Sequence, residues 1–122
     1  MFVRSRPYQR RVDGSETEHH QIVESYRNQA GQPRQRVLVS WTGPRDLTEA
    51  AAMCREAAER AEKLRASWAA KTVNRYPQRR MCIRGVWNAE HVQKELASAA
   101  RRRDEMNAKA DALEHAVARG LS

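Results

Sequence analysis

The sequence predicts an α+β protein, with a three-stranded antiparallel sheet in residues 1–45 followed by a long antiparallel two-helix coiled-coil hairpin in residues 46–122. Three observations predict this division. β-Branched and aromatic residues alternate with polar ones in the first part, which is the period of a strand. Alanine is concentrated in the second part, where 18 of the 19 alanines follow Gly43. Apolar residues there also recur every seven positions, as in a coiled coil.

Three segments of the first part have the composition of strands. The first, residues 2–6, is expected to end at Pro7, because proline cannot donate a backbone hydrogen bond to a neighbouring strand. The other two, residues 19–27 and 34–41, flank a short polar loop. Gly31 in that loop occupies a position where a positive φ is expected. The first part is therefore predicted to be a basic three-stranded meander.

Two segments of the second part have clear helix boundaries. Asp46, with Glu49 three residues later, resembles a capping box and predicts the start of the first helix. Pro77 cannot continue that helix. Asn88 is a second N-cap candidate, and Gly120 is a natural C-terminal cap. The predicted helices span about residues 46–75 and 88–119.

The seven-residue repeat predicts an apolar seam on each helix. The first seam is formed by Leu47, Ala50, Cys54, Ala57, Ala61, Leu64 and Trp68. The second is formed by Val92, Leu96, Ala99, Met106, Ala110, Leu113 and Val117. When the helices are paired antiparallel, large residues mostly face small ones, which supports a hairpin. Arg103 interrupts the second seam, and its guanidinium is expected either to reach Glu59 or Glu62 or to leave the seam open for a partner.

The chain is strongly basic, and its surplus charge lies in two places. It carries 23 basic and 15 acidic side chains, a formal net charge of +8, with a pI of about 10.3. A surplus of this size on a small protein predicts attraction to a polyanion such as nucleic acid. Residues 1–45 hold eight basic and four acidic groups, and residues 77–85 hold three basic groups and no acidic one.

Cysteine usage and hydropathy bear on the location of the protein. Cys54 and Cys82 lie in no CxxC or Cys/His spacing that predicts a zinc site. The N-terminus lacks the apolar run of a signal peptide, and no stretch is apolar over the length needed to span a bilayer. The sequence therefore predicts a reduced, cytoplasmic protein with no membrane segment.

None of the residue patterns predicts an active site. His19 and His20 are adjacent, and adjacent strand residues point to opposite faces, so we expect solvated or edge histidines here instead of a metal pair. His91 and His115 lie far along a helix. No Ser, Cys or His spacing assembles a nucleophile with a base, and the five glycines form no phosphate-binding loop. We therefore predict that the protein is not an enzyme and uses no metal or cofactor.

The arginines of the predicted sheet are the first candidate site. In the third strand, strict alternation places Val37, Val39 and Trp41 on one face and Arg34 and Arg36 on the other. A basic face on a small sheet suits contact with phosphates or with guanine edges in a major groove. The alternative is a solvated face that protects edge strands from aggregation. Arg27 is expected to join Arg34 and Arg36 beside the turn, and Arg4 and Arg6 are expected to extend the same basic face. The candidates for nucleic-acid contact are therefore Arg4, Arg6, Arg27, Arg34 and Arg36.

A second basic segment lies at the turn between the predicted helices. Its arginines either bind nucleic acid or remain in water while apolar neighbours cap the helical hairpin. These arginines are Arg79, Arg80 and Arg84. The candidates for contact with a protein partner are Tyr76, Trp87 and Arg103. The neighbouring run of arginines at residues 101–103 stands beside acidic residues and is interpreted mainly as a solvated helix face.

The hairpin sequence resembles a known family. Residues 22–27 read IVESYR, Gly31 follows, residues 34–38 read RQRVL, and Gly43 closes the segment. This pattern is similar to the N-terminal hairpin of bacterial insertion-sequence transposases with a DDE catalytic domain, and to small uncharacterised bacterial proteins that join such a hairpin to a charged helical tail. The resemblance covers about residues 2–50 and does not include the catalytic domain. It implies a DNA-engaging role for Arg27, Arg34, Gln35 and Arg36.

Three functions remain open from the sequence. The first is a non-enzymatic protein of mobile-element origin that binds nucleic acid through the sheet, with double-stranded DNA as the expected partner. The second is a protein-interaction adaptor, or a phage-type inhibitor of a nucleic-acid machine, that acts through the helical hairpin. The third is a homodimeric coiled-coil spacer. The sequence does not distinguish DNA from RNA or indicate a base preference.

Overall fold

The computed structural model of the protein describes residues 1–10, 16–74, 82–83 and 86–121. The chain forms two compact units. The first unit combines Met1–Cys54 with Ala108–Ser122, and the second is Arg55–Asn107. A three-stranded antiparallel sheet is followed by two long helices, so the predicted α+β class is confirmed.

The first unit contains the antiparallel sheet. Its strands are β1 (Phe2–Arg10), β2 (Glu16–Arg27) and β3 (Pro33–Thr42). They pair in the order β1-β2-β3, so β2 is central and the other two strands are edges. The predicted meander is therefore confirmed, although every strand is longer than the sequence pattern indicates.

Strand β1 does not end at Pro7, as the sequence predicts. Pairing with β2 continues to Arg10, and the register shifts between Pro7 and Gln9. Proline is tolerated on an edge strand and at a bulge, because its missing N–H then interrupts no ladder on the outer side. The prediction was wrong because the bulge next to Pro7 lets this edge strand continue beyond the proline.

A second bulge interrupts the pairing of β2 with β3. Ile22 pairs with Val39 and Val23 pairs with Val37, so Leu38 is the extra residue of β3. An extra residue reverses the alternation of side chains beyond it. As a consequence, Arg36 lies on the same face of the sheet as Val39. The sequence pattern had predicted that these two residues lie on opposite faces.

The first helix, α1 (Leu47–Ala69), begins as expected and ends early. The Asp46 carboxylate accepts a hydrogen bond from the Glu49 backbone N–H at 2.9 Å, which confirms the predicted N-cap. The predicted end near residue 75 is wrong. Residues 72–74 instead form strand β4 (Thr72–Asn74), where β-branched side chains suit an extended backbone.

The second helix, α2 (Ala89–Ala118), matches the predicted span to within one residue at each end. The Asn88 side chain accepts from the His91 backbone N–H at 3.0 Å, so the predicted N-cap is confirmed. At the C-terminus Gly120 has a φ of 87°. The Gly120 N–H donates to the Val117 carbonyl, and the Leu121 N–H donates to the Ala116 carbonyl. These two bonds form a Schellman motif.

A small second sheet lies in the second unit and was not predicted. Its strands are β4, β5 (Cys82–Ile83) and β6 (Val86–Asn88), in the order β4-β6-β5. β4 pairs with β6 in parallel, with Val73 opposite Trp87. This pairing brings the segment after α1 beside the segment that precedes α2.

The core of the first unit combines the sheet with both helices. The sheet contributes Ile22, Val23, Val39 and Trp41; α1 contributes Leu47, Ala50, Ala51 and Cys54; and α2 contributes Ala110, Leu113 and Ala116. All of these side chains are buried. Small alanines dominate the helical contribution, which allows the helix backbones to approach the sheet closely.

In the second unit the two helices form a narrower core. Its buried side chains are Ala58, Ala61, Val92 and Ala99. A hydrogen bond also joins the two helices: Arg55 donates to the Asn107 side chain at 3.0 Å. The predicted seam is only partly buried: Leu64 is 51% exposed here, and Val117 of the first unit is 41% exposed.

Candidate nucleic-acid interface

The end of the β2–β3 hairpin is exposed on both faces of the ribbon. Ser25, Tyr26 and Arg27 of β2 and residues 33–38 of β3 are all exposed. Closer to the core, Val23 and Val39 are buried, so the two strands leave the core at this point. We call residues 24–38 the hairpin end. It carries three arginines and one carboxylate, that of Glu24.

The turn of the hairpin end is ordered by its own side chains. Asn28 accepts hydrogen bonds from the backbone N–H of Ala30 at 3.0 Å and of Gln32 at 2.9 Å. Gly31 has a φ of 77°, which a glycine adopts without strain and most residues do not. An asparagine that satisfies two backbone donors stabilises a loop of this kind. The turn is therefore preformed in the isolated protein.

Two of the three arginines also bond to this turn. Arg27 donates to the Gly31 carbonyl at 2.9 Å, and Arg34 donates to the Gln32 side chain at 2.9 Å. Both arginines are exposed, and both acceptors are uncharged. A guanidinium has five N–H donors, so each of these arginines keeps most of its hydrogen-bonding capacity for a ligand.

Arg36 has a charged partner in the hairpin end. Its Nε lies 2.9 Å from Oε2 of Glu24, the residue opposite it in the ladder, and its guanidinium lies 5.0 Å from the centre of the Tyr26 ring. The pair is exposed, and exposed ion pairs contribute little to stability. An incoming phosphate can therefore replace Glu24 at small cost.

The register distributes the arginines over both faces of the ribbon. Arg34 pairs with Tyr26 and Arg36 pairs with Glu24, so these two arginines share one face. Arg27, opposite Pro33, lies on the other face. The predicted single basic face that joins all three arginines is therefore wrong, because the bulge at Leu38 reverses the alternation.

The other predicted sheet arginines lie on the face that Arg27 occupies. Arg4 pairs with Gln21, and its Nε donates to the Gln21 side chain at 3.2 Å. Arg6 pairs with His19 and is exposed. Gln35 is also exposed on this face, opposite Ser25. Arg4 is only half-buried, so its guanidinium remains within reach of a ligand.

Sequence reasoning missed the role of His20, which is completely buried. Its Nε2 lies 3.0 Å from the Gly43 carbonyl and its Nδ1 lies 2.7 Å from the Ser5 hydroxyl. Because a carbonyl only accepts, Nε2 carries a hydrogen, and in the neutral ring Nδ1 accepts from Ser5. The ring also lies 5.4 Å from that of Trp41. The expectation of a solvated or edge histidine is wrong at this position.

The same network holds the turn that closes the sheet. Trp41 donates from its indole nitrogen to the Pro44 carbonyl at 2.7 Å, beside the bond from His20 to Gly43. Gly43 has a φ of 126°, and a Cβ there would lie 3.2 Å from the Met53 sulfur. The backbone conformation therefore favours glycine at this closing position of the motif, and a side chain there would also press against Met53.

The second basic segment can be located only in part. Tyr76, Arg79, Arg80 and Arg84 lie outside the described residues, so their proposed contacts remain predictions.

Trp87 is half-buried in β6, where its ring stacks on that of His91 with centroids 5.9 Å apart. Arg103 bonds within the protein, to Glu62 at 2.6 Å and to Asp104 at 3.1 Å. Of the two carboxylates that the sequence offered on the first helix, Arg103 thus reaches Glu62.

Glu62 is shared by two arginines. Arg65 donates to its carboxylate at 2.6 Å and Arg103 at 2.6 Å. The hydrogen bond from Arg65, followed by that from Arg103, lowers the pKa of Glu62 from 4.5 to about 2. A carboxyl whose pKa is lower in the folded state stabilises the fold above its unfolded pKa, and this contribution is lost as the pH falls toward 2.

We expect Glu62→Gln to remove part of the acid sensitivity of folding. Between about pH 5 and pH 2, the free energy of unfolding of the wild type should fall more steeply than that of the variant. Urea titrations at a series of pH values, followed by circular dichroism, measure the difference. Glu59→Gln makes the same chemical change at an exposed position outside this triad and serves as the control. Parallel pH profiles for the wild type and Glu62→Gln would contradict the assignment.

The described residues contain neither a metal-binding cluster nor a helix that could span a membrane. Among the described residues, no group of three or more His, Cys, Asp or Glu side chains is placed to hold a metal ion. Neither of the two long helices is apolar enough over its length to cross a membrane, within the part of the chain that the structure describes.

The fold and the exposed hairpin define a class of small α+β protein that presents arginines on a β-ribbon. The family model for the IS1634 family transposase, N-terminal domain, matches residues 6–75, which is more than half of the chain. The protein belongs to this family. The match confirms the transposase resemblance of the hairpin, and it concerns an N-terminal domain and not a catalytic one. No curated protein and no solved structure gives a significant match.

Proposed function

We propose that the protein is a non-enzymatic DNA-binding protein of mobile-element origin that binds double-stranded DNA through the hairpin end. The observation that carries the proposal is the exposure of this ribbon on both faces, with arginines on each. The family match supports a mobile-element origin. The proposal places the protein in the cytoplasm, where it would meet DNA.

The arrangement of the arginines suggests how the ribbon engages the duplex. A two-stranded ribbon fits the major groove of B-DNA, whose walls are lined by the two phosphate backbones. Arg34 and Arg36 extend from one face of the ribbon and Arg27 from the other. A ribbon that enters the groove can therefore contact phosphates on both walls. Gln35, on the same face as Arg27, adds an amide that is able to hydrogen-bond to the DNA.

The preformed turn favours this mode of binding. Asn28 and Gly31 hold the hairpin end in one conformation before DNA arrives. A ligand then does not have to order the loop, and the free energy of binding is not reduced by the entropy of that step.

Duplex binding is expected to depend strongly on salt. If each of the three hairpin arginines contacts a phosphate, the logarithm of the affinity should fall against the logarithm of salt concentration with a slope of about −3. Fluorescence anisotropy with a labelled random-sequence duplex, at several salt concentrations, measures this slope. Affinity that does not change with salt, or the absence of binding at low salt, would overturn the proposed function.

A further inference from the structure

Three aromatic rings meet in the second unit. Trp68 lies in the last turn of α1, Trp87 in β6 and His91 in the first turn of α2. The ring centroids of Trp68 and Trp87 are 4.8 Å apart at an interplanar angle of 81°, and Trp68 lies 5.5 Å from His91. We call these three residues the aromatic cluster. The parallel pairing of β4 with β6 positions Trp87 for these contacts.

The aromatic cluster lies at the surface and has a lysine beside it. All three rings are only half-buried, whereas Trp41 in the first unit is 3% exposed. The exposed ammonium of Lys71 lies 6.0 Å from the ring centre of Trp68 and 5.9 Å from that of Trp87. Val73, the partner of Trp87 in the ladder, is 42% exposed on the same face of the small sheet.

We infer that the aromatic cluster is a binding site for unpaired bases of single-stranded nucleic acid. Accessible aromatic rings next to a cation are the pattern with which proteins hold single strands, because bases stack on the rings while the cation binds the phosphate. In this site a base stacks on the exposed indole surface, and Lys71 pairs with the adjoining phosphate. The bases of an intact duplex are stacked inside it, so this site is distinct from the hairpin end and does not depend on the proposed function.

The charges around the site favour an anionic strand of this kind. The carboxylate of Glu95, one helical turn beyond His91 along α2, lies 4.0 Å from His91 Nε2. Lys71, in contrast, is within cation–π distance of both indoles, which are the larger stacking surfaces.

The test is a fluorescence titration with a short oligothymidylate and with an abasic oligonucleotide of the same length. Stacking of thymine should quench the fluorescence of Trp68 and Trp87, while the buried Trp41 does not respond. Affinity for the abasic strand should be roughly tenfold lower, as expected for the loss of a stacked base. Trp87→Leu should remove this difference between the two strands. Equal affinity of the wild type for both strands, or no quenching, would overturn the inference without any need for a variant.

A second variant tests the role of the lysine. Lys71→Ala should reduce the slope of log affinity against log salt for oligothymidylate by roughly 0.7, the value for one phosphate contact on a single strand. Lys94→Ala removes an exposed charge from α2 in the same unit and should leave the slope unchanged. An unchanged slope in Lys71→Ala would contradict the assignment of the phosphate contact. The variant Arg34→Ala/Arg36→Ala should retain oligothymidylate binding, which separates this inference from the fate of the proposed duplex site.

Discussion

Replacing Arg34 and Arg36 together with alanine is expected to weaken duplex binding by roughly 60-fold at about 0.1 M salt, and to reduce the salt slope by about 2. The two side chains share one face of the exposed hairpin end, where they would contact the same phosphate backbone. The loss of two phosphate contacts removes the counterion release that accompanies them. Anisotropy titrations of the wild type and the variant, on the same labelled duplex, measure both quantities.

Two further variants make this experiment specific. Arg101→Ala/Arg102→Ala removes the same charge from exposed positions of α2 and should change affinity much less. Glu24→Gln should strengthen binding, because it removes the carboxylate that competes with phosphate for Arg36. Equal losses in the two double-arginine variants would indicate attraction by net charge alone and would remove the hairpin end from the mechanism.

Replacing His20 with alanine is expected to destabilise the protein by about 3 kcal/mol. The ring is completely buried, bonds to Ser5 and Gly43, and lies against Trp41, so the variant loses two hydrogen bonds and leaves a cavity. Loss of the bond to Gly43 also loosens the turn between the sheet and α1. Urea denaturation followed by circular dichroism measures the change in the free energy of unfolding.

The neighbouring histidine is a matched control for this prediction. His19 lies on the opposite face of β2, where it is half-buried and its Nδ1 makes an exposed hydrogen bond with the Thr42 hydroxyl at 3.3 Å. We expect His19→Ala to change the free energy of unfolding by no more than about 0.5 kcal/mol. If the two alanine variants were equally stable, the His20 network would not hold the sheet together.

Much of the candidate interface could be predicted from the sequence. The alternation in β2 and β3 and the position of Gly31 indicate a hairpin, and they place Arg27 and Arg34 next to its turn. The faces could not be predicted, because the run from Val37 to Val39 is apolar at every position and is compatible with either phase of alternation. Only the pairing with β2 shows that Leu38 is the extra residue.

The burial of His20 and the formation of the aromatic cluster also could not be predicted from the sequence pattern. A pair of adjacent histidines in a polar segment indicates solvation, and nothing local shows that a serine of β1 and a carbonyl after β3 will satisfy both ring nitrogens of one of them. Trp68 was predicted as a seam residue of a coiled coil. Its place beside Trp87 depends on the parallel pairing of two short strands, which has no local signature.

The sequence by itself determined the features that depend on neighbouring residues. These are the N-caps at Asp46 and Asn88, the C-terminal cap at Gly120, the turn at Gly31, the α+β class and the surplus of positive charge. Tertiary structure alone decided which face each arginine occupies, where α1 ends, which histidine is buried and which aromatic rings meet. The physical reason is that caps, turns and periodicity arise from interactions within a few residues, whereas register, bulges and burial are set by free energies of contact with segments that are distant along the chain.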